Sequence, residues 1–227
     1  MTEHSVLHTP VPAAASGQPF STLRARSARP VRRIAGLLAL AAVLLCAPAL
    51  PAGETVLQID PARTTVAYKV DTTLHTVHGT FRLKSGTMRF DPANGAAAGE
   101  LVVDAASGNS GSDARDQRMQ KVVLESARFS EIVFRPNRIE GKVEREGASQ
   151  VVIHGVFAIH GGEHEVAVPA EVQASGGQFS VVAHFAVPYV KWGMKNPGNF
   201  LLHVNDQVEI TVQTVAVPGH ETSRSAP

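Results

Sequence analysis

The stretch VAVPAEVQASGGQFSVVAHFAVP, Val166 to Pro188, decides the fold. Val166, Val168, Ala170 and Val172 alternate with residues that suit water, and after a Gly-Gly turn Phe179, Val181, Ala183, Phe185 and Val187 do the same. Successive side chains of a strand point to opposite faces, so this period of two marks strands with one buried face and one wet face. The connection is far too short for a parallel crossover, and Gly accepts the positive φ that a tight turn requires. The stretch is an antiparallel hairpin.

The pattern extends in both directions. TTVAYKVD puts Val66, Tyr68 and Val70 on one face, GTMRFDP puts Met88 and Phe90 there, and DQVEITVQT adds Val208, Ile210 and Val212. Short turn signals separate the runs: RLKSG, DPANGAAAG, EREGASQ and HGGEH. About eight to ten strands joined in order make an up-and-down meander. Rolling it into a barrel removes its two exposed edges. The competing immunoglobulin-type sandwich usually carries Cys…Trp…Cys, a pattern missing here. The expected class is all-β: an antiparallel up-and-down barrel, capped at one end by a short helix.

Two stretches interrupt the strands, Ser107 to Ser130 and Pro188 to Phe200. In the first, Ser110 with Asp113, or Ser112 alone, suits a helix cap, and Asp113 and Asp116 suit the positive end of the helix dipole. Met119, Val122 and Val123 share one face at helical spacing. The sequence predicts a helix of about three turns, too short to stand without packing against another surface. The open end of the barrel offers that surface.

Residues 1–52 read as a leader rather than fold. A segment without apolar period precedes Arg24, Arg26, Arg29, Arg32 and Arg33, then the apolar run IAGLLALAAVLLCAPAL and small residues at Ala47, Ala49 and Ala52. That order is a secretory signal peptide, with cleavage expected after Ala49 or Ala52. The barrel domain is assigned to residues 53–217 and a flexible tail to 218–227. The leader holds the sole cysteine, Cys46, so the remainder forms no internal disulfide. Export without disulfides points to a bacterial periplasm. The leader also holds five of the 21 Lys and Arg but one of the 20 Asp and Glu, so the net charge moves from +1 to about −3 without it. A nucleic-acid partner is disfavoured, because phosphate binding needs surplus cations.

No nucleophile elbow, phosphate loop or zinc-protease motif occurs in the sequence. An acid/base pair of His75 and Asp116 is the alternative that would make the protein an enzyme acting on a lipid or small ester. A metal buffer is a second alternative, built from His160, Glu163 and His164 around a turn; a zinc site needs three or four converging ligands. His75 follows Leu74 in an apolar context, which suits a half-buried imidazole. Adjacent helix residues do not face each other, so Arg115 is expected to point away from Asp116, toward an anionic group.

Four blocks in order, VLQIDPARTTVAYKVDTTLHTVHGTFRLKSGTMRFDP, DARDQRMQKVVLESARFSEIVF, IHGVFAIHGGEHEVAVPAEV and FAVPYVKWGMKNPGNFLLHVNDQVEITV, resemble the YceI-like family of periplasmic polyisoprenoid-binding proteins. The likeness runs from about Thr55 to Val215, and its most specific parts are Arg115–Asp116, Leu124–Glu125, Phe129 and Ile153–Gly155. The resemblance implies a lipocalin-like barrel, a long apolar tunnel for an isoprenoid chain such as a polyprenyl phosphate or quinone tail, and no known reaction. The expected ligand walls are Tyr68, Val70, Phe81, Met88, Phe134, Phe157, Phe185 and Trp192, with His75 and Arg115 at the mouth and Met119 and Val123 in the lid. No cofactor is expected beyond a bound isoprenoid lipid. The expected partners are that lipid or another long-chain lipid, with transient membrane contact and a homodimer compatible with the reading.

Overall fold

The computed structural model describes residues 53–219; the leader assignment lies outside them. Nine strands are present: β1 (Thr55–Ile59), β2 (Thr65–Asp71), β3 (Thr76–Phe90), β4 (Ala97–Asn109), β5 (Glu131–Glu140), β6 (Gly147–Ile159), β7 (Gly162–Ser175), β8 (Gln178–Val187) and β9 (Val208–Pro218). All pairings are antiparallel. From β3 to β9 each strand lies beside its sequence neighbour, and β2 sits between β3 and β9, so the ring closes. The meander therefore has no free edge along its length, as closure demands.

The ring has eight staves rather than nine, because β1 and β2 share one. Both pair with β3 on one side and β9 on the other. A single helical turn, Pro61–Arg63, divides them. Pro61 has no N–H to give the ladder. Asp60 accepts from the Ala62 N–H at 2.9 Å and holds the turn, and the Thr64 and Thr214 hydroxyls bond at 2.6 Å beneath it.

Strict alternation along β3 would send Phe81 and Met88 to opposite faces. The register slips between Leu83 and Ser85, where one extra residue bulges out of the ladder. A bulge of this kind reverses the facing of everything beyond it. Val77, Phe81 and Leu83 thus point inward before it, and Met88 after it. The opposite hairpin turn, His160–Gly161, has both residues at positive φ, 51° and 77°. Two such residues give the twist that two-residue hairpins favour.

Two apolar clusters fill the ends of the barrel. At the base, Leu57, Phe90, Ile139, Val151 and Val172 pack together, with the Phe90 and Phe179 rings edge to face at 6.4 Å. Near the other end, Ala105, Val123, Leu124, Ile132, Val187, Tyr189 and Met194 pack under the two interruptions. The barrel begins and ends at the base: Thr55 faces Phe90, Leu57 faces Pro218, and the Gly219 N–H reaches the Val56 carbonyl at 2.9 Å. β9 therefore runs one residue past the expected domain boundary at 217.

Candidate functional site

The first interruption folds as a short lid. Helix α1 (Asp113–Arg118) runs directly into a wider π-turn, Met119–Val123. Together they make the expected length of helix, with the last part unwound. The expected cap works differently from its prediction. Ser112 stands at the N-cap without a side-chain bond; its carbonyl receives the Asp116 N–H at 2.9 Å. Ser110 is instead the anchor. Its N–H donates to Asp116 at 2.9 Å and its Oγ bonds the same carboxylate at 2.5 Å. The Arg115 guanidinium donates to the Ser110 Oγ and carbonyl, each at 2.7 Å. Arg115 does not turn away from Asp116 as expected: both meet at the Ser110 hydroxyl, which accepts from Arg115 and donates to Asp116, so Arg115 is engaged there rather than waiting for an anion.

Beneath the lid lies a cavity of about 680 Å³. Every strand from β2 to β9 contributes to its wall. Eleven of the twelve residues singled out in the sequence line it: Tyr68, Val70, His75, Phe81, Met88, Arg115, Met119, Val123, Phe134, Phe157 and Phe185. Alternation explains the strand residues Tyr68, Val70, Phe81, Phe134, Phe157 and Phe185. Met88 joins them through the β3 bulge, and His75, Arg115, Met119 and Val123 come from the loop and lid over the end. The base residues Phe90, Ile139, Val151 and Val172 stay outside the cavity, so its floor is packed while its other end opens between Thr72, His75, Pro197 and Asn199.

Trp192 is the exception. It lies off the cavity wall, with its indole stacked on the His164 ring at 4.1 Å and 2° and tilted against Phe157 at 5.8 Å. The residue falls in an irregular segment where no period reports which way a side chain faces. His164 is held in that stack, and the other two residues of the metal arrangement turn elsewhere. Glu163 turns outward to Arg135 at 3.1 Å, and His160 sits against the Phe129 ring, 3.5 Å from Glu125. Among the described residues no three His, Cys, Asp or Glu side chains are placed to hold a metal. His75 differs from its expectation too. It is exposed at the mouth, and Leu74 beside it is 75% exposed rather than part of an apolar pocket. Among the described residues no hydrogen bond joins His75 to Asp116, whose carboxylate is occupied by Ser110.

The polar groups of the interior are few, and apart from Thr214, paired with Thr64, they lie toward the lid and mouth. Tyr68 is buried, and Gly79 opposite it in the ladder makes room for its ring: a Cβ there would stand 2.5 Å from the ring and from the Asn109 carbonyl. Burial pushes the Tyr68 hydroxyl above its ordinary range and Asp116 adds to this, while hydrogen bonding to Ser110 and the Arg115 charge pull the other way. Tyr68 is therefore neutral at physiological pH and sits next to the Ser110–Asp116–Arg115 cluster. Tyr189 donates to the Asn205 carbonyl at 2.9 Å, and burial followed by Asp206 pushes its hydroxyl up to about 12. Sequence reading missed Ser110, Tyr189, Met194 and Asn199 as site residues. All fall in the interruptions, where neither a period of two nor one of 3.6 applies.

A closed antiparallel wall around one lidded, mostly apolar hollow defines a lipocalin-like barrel. The chain belongs to the YceI-like family, whose domain profile matches residues 57–216. Solved structures agree on the fold. The crystal structure of Burkholderia cenocepacia BcnA is similar at 19% identity and TM-score 0.60, over 70% of this chain and 99% of that one. A polyisoprenoid-binding domain from Saccharophagus degradans, implicated in plant cell wall breakdown, is similar at 16% identity and TM-score 0.56, over 73% of this chain and 99% of that one. A Campylobacter jejuni YceI protein follows at 16% identity and TM-score 0.50, over 60% and 81%. No curated protein sequence matches the chain.

Proposed function

We propose that the protein is an exported, non-enzymatic carrier that holds the chain of an isoprenoid lipid inside its barrel, in the bacterial periplasm. The observation that carries this reading is the cavity: about 680 Å³, walled by aliphatic and aromatic side chains, with its polar groups other than Thr214 toward the lid and mouth. A methylene takes up about as much space as a water, roughly 30 Å³, so the cavity admits at least on the order of 20 chain carbons. Each CH₂ moved from water is worth roughly 0.8 kcal/mol, so a tail binds without any directional contact once ordering costs are met. The S. degradans domain, described as polyisoprenoid-binding, supports the choice of lipid. The head group belongs at the mouth, near His75 and the Arg115–Ser110–Tyr68 cluster.

Native mass spectrometry of protein purified without detergent tests the reading. A co-purifying hydrophobic mass is the expected result. Absence of any such mass, together with failure to load a prenyl alcohol or quinone, would refute it.

A further inference from the structure

Among the described residues the exposed large apolar side chains are Leu74 at 75%, Phe200 at 95% and Leu201 at 74%. They come from two loops, β2–β3 and β8–β9, which are stitched together. The Thr73 N–H donates to the His203 carbonyl at 3.0 Å, and the His203 N–H to Thr73 Oγ1 at 2.9 Å. The three side chains therefore belong to one side of the molecule. Their neighbours Thr72, His75, Asn199 and Leu202 line the cavity, so the patch is the rim of its mouth.

The display is built rather than slack. The Asn199 side-chain oxygen receives the N–H groups of Leu201 and Leu202, each at 2.9 Å, and the Asn199 N–H reaches back to the Leu202 carbonyl at 2.9 Å. This turn sends Leu202 toward the cavity and Phe200 and Leu201 into solvent. Arg118 binds the Pro197 carbonyl from the lid at 3.0 Å, which puts its charge on the same rim, and exposed Lys195 lies two residues before that proline. Neither cation is in an ion pair among the described residues. Asp113 opposes them on the lid, while the carboxylates of Asp116 and Asp206 accept from Ser110 and Asn196.

We propose that the Leu74–Phe200–Leu201 rim docks into the interfacial layer of an anionic lipid bilayer, so that a tail crosses between membrane and cavity without passing through water. The proposal rests on the lipid-carrier reading. Large apolar side chains flanked by cations suit that layer. A second copy of the chain fits less well: three such side chains expose on the order of 400 Å², about half of what each partner contributes to a stable protein interface. The laddered walls and packed base also leave the mouth as the route by which a long tail enters.

The test uses the full chain with Cys46→Ser and Leu201→Cys, carrying an environment-sensitive nitrobenzoxadiazole dye at position 201. The same dye at Ala93→Cys, in the β3–β4 turn at the base, is the control. Mixed with phosphatidylcholine vesicles containing phosphatidylglycerol, the rim dye should shift to the blue and the base dye should not. Leu74→Ser with Phe200→Ser should weaken the vesicle response at least tenfold, while solution binding of a fluorescent prenyl probe stays as in the parent. No shift at the rim, or equal shifts at rim and base, overturns the proposal. So does a rim response that persists in the Ser variant, or one that appears without vesicles and tracks dimer formation in sedimentation. If the probe fails to bind the parent while the rim docks, the carrier reading fails and the docking surface stands.

Discussion

At the scale of single residues, the interior is decided by a few close approaches. Gly79→Ala would place a methyl against the Tyr68 ring and the Asn109 carbonyl at once, one of them backbone that cannot swing aside. A loss of about 1–3 kcal/mol is expected for such overpacking, read from the urea midpoint. Tyr189 gives a pH signature. Its folded pKa, about 12, lies above the ordinary value of 10, so its contribution to stability is intact below pH 10 and is lost as pH rises toward 12. Ultraviolet titration should show both tyrosines with midpoints above pH 10, one of them near pH 12, and stability falling as pH rises from 10 toward 12. A tyrosine midpoint below pH 10 in the folded protein would contradict the burial described.

At the scale of elements, the lid hangs on one carboxylate. Asp116→Ala removes the acceptor for the Ser110 N–H and Oγ and unsettles the Ser110 contacts of Arg115. The expected cost is about 1–3 kcal/mol, with faster release of a loaded prenyl probe in stopped-flow. Unchanged release would mean that the lid does not hold the cargo. The same segment shows where reading the sequence stops. Strands declare themselves because alternation survives any change of partner, so Val70, Phe134 and Phe185 were legible as walls. The β3 bulge was not, since nothing in RLKSG distinguishes an extra residue in a ladder from a turn. The lid's length was legible from Met119, Val122 and Val123, but its anchoring was not: a serine before a helix looks like a cap whether it binds backbone or, as Ser110 does, a carboxylate one turn in. Trp192 and Leu74 were misplaced for a related reason. In irregular segments an apolar side chain carries no sign of whether it faces in or out.

At the scale of the whole molecule, stability and occupancy are coupled. The wall is held by its ladders and by two apolar clusters, while exposed pairs such as Arg135 with Glu100 and Glu163, both at 3.1 Å, add little individually. An occupied cavity binds the folded state alone, so cargo at a hundred times its dissociation constant should add about 2.7 kcal/mol. Extracting any lipid that co-purifies should therefore lower the melting temperature by several degrees, and loading a prenyl alcohol should raise it in calorimetry. Equal melting temperatures for extracted and loaded protein would show that nothing occupies the interior.

The two ends of the barrel, side by side at the packed floor, have a practical corollary. A short linker between them would barely disturb the strands, and grafting either one to a bead or sensor chip would leave every copy upright like a cup on a tray. An array made that way should skim greasy solutes from the liquid above it, and the same molecules attached by the rim should not.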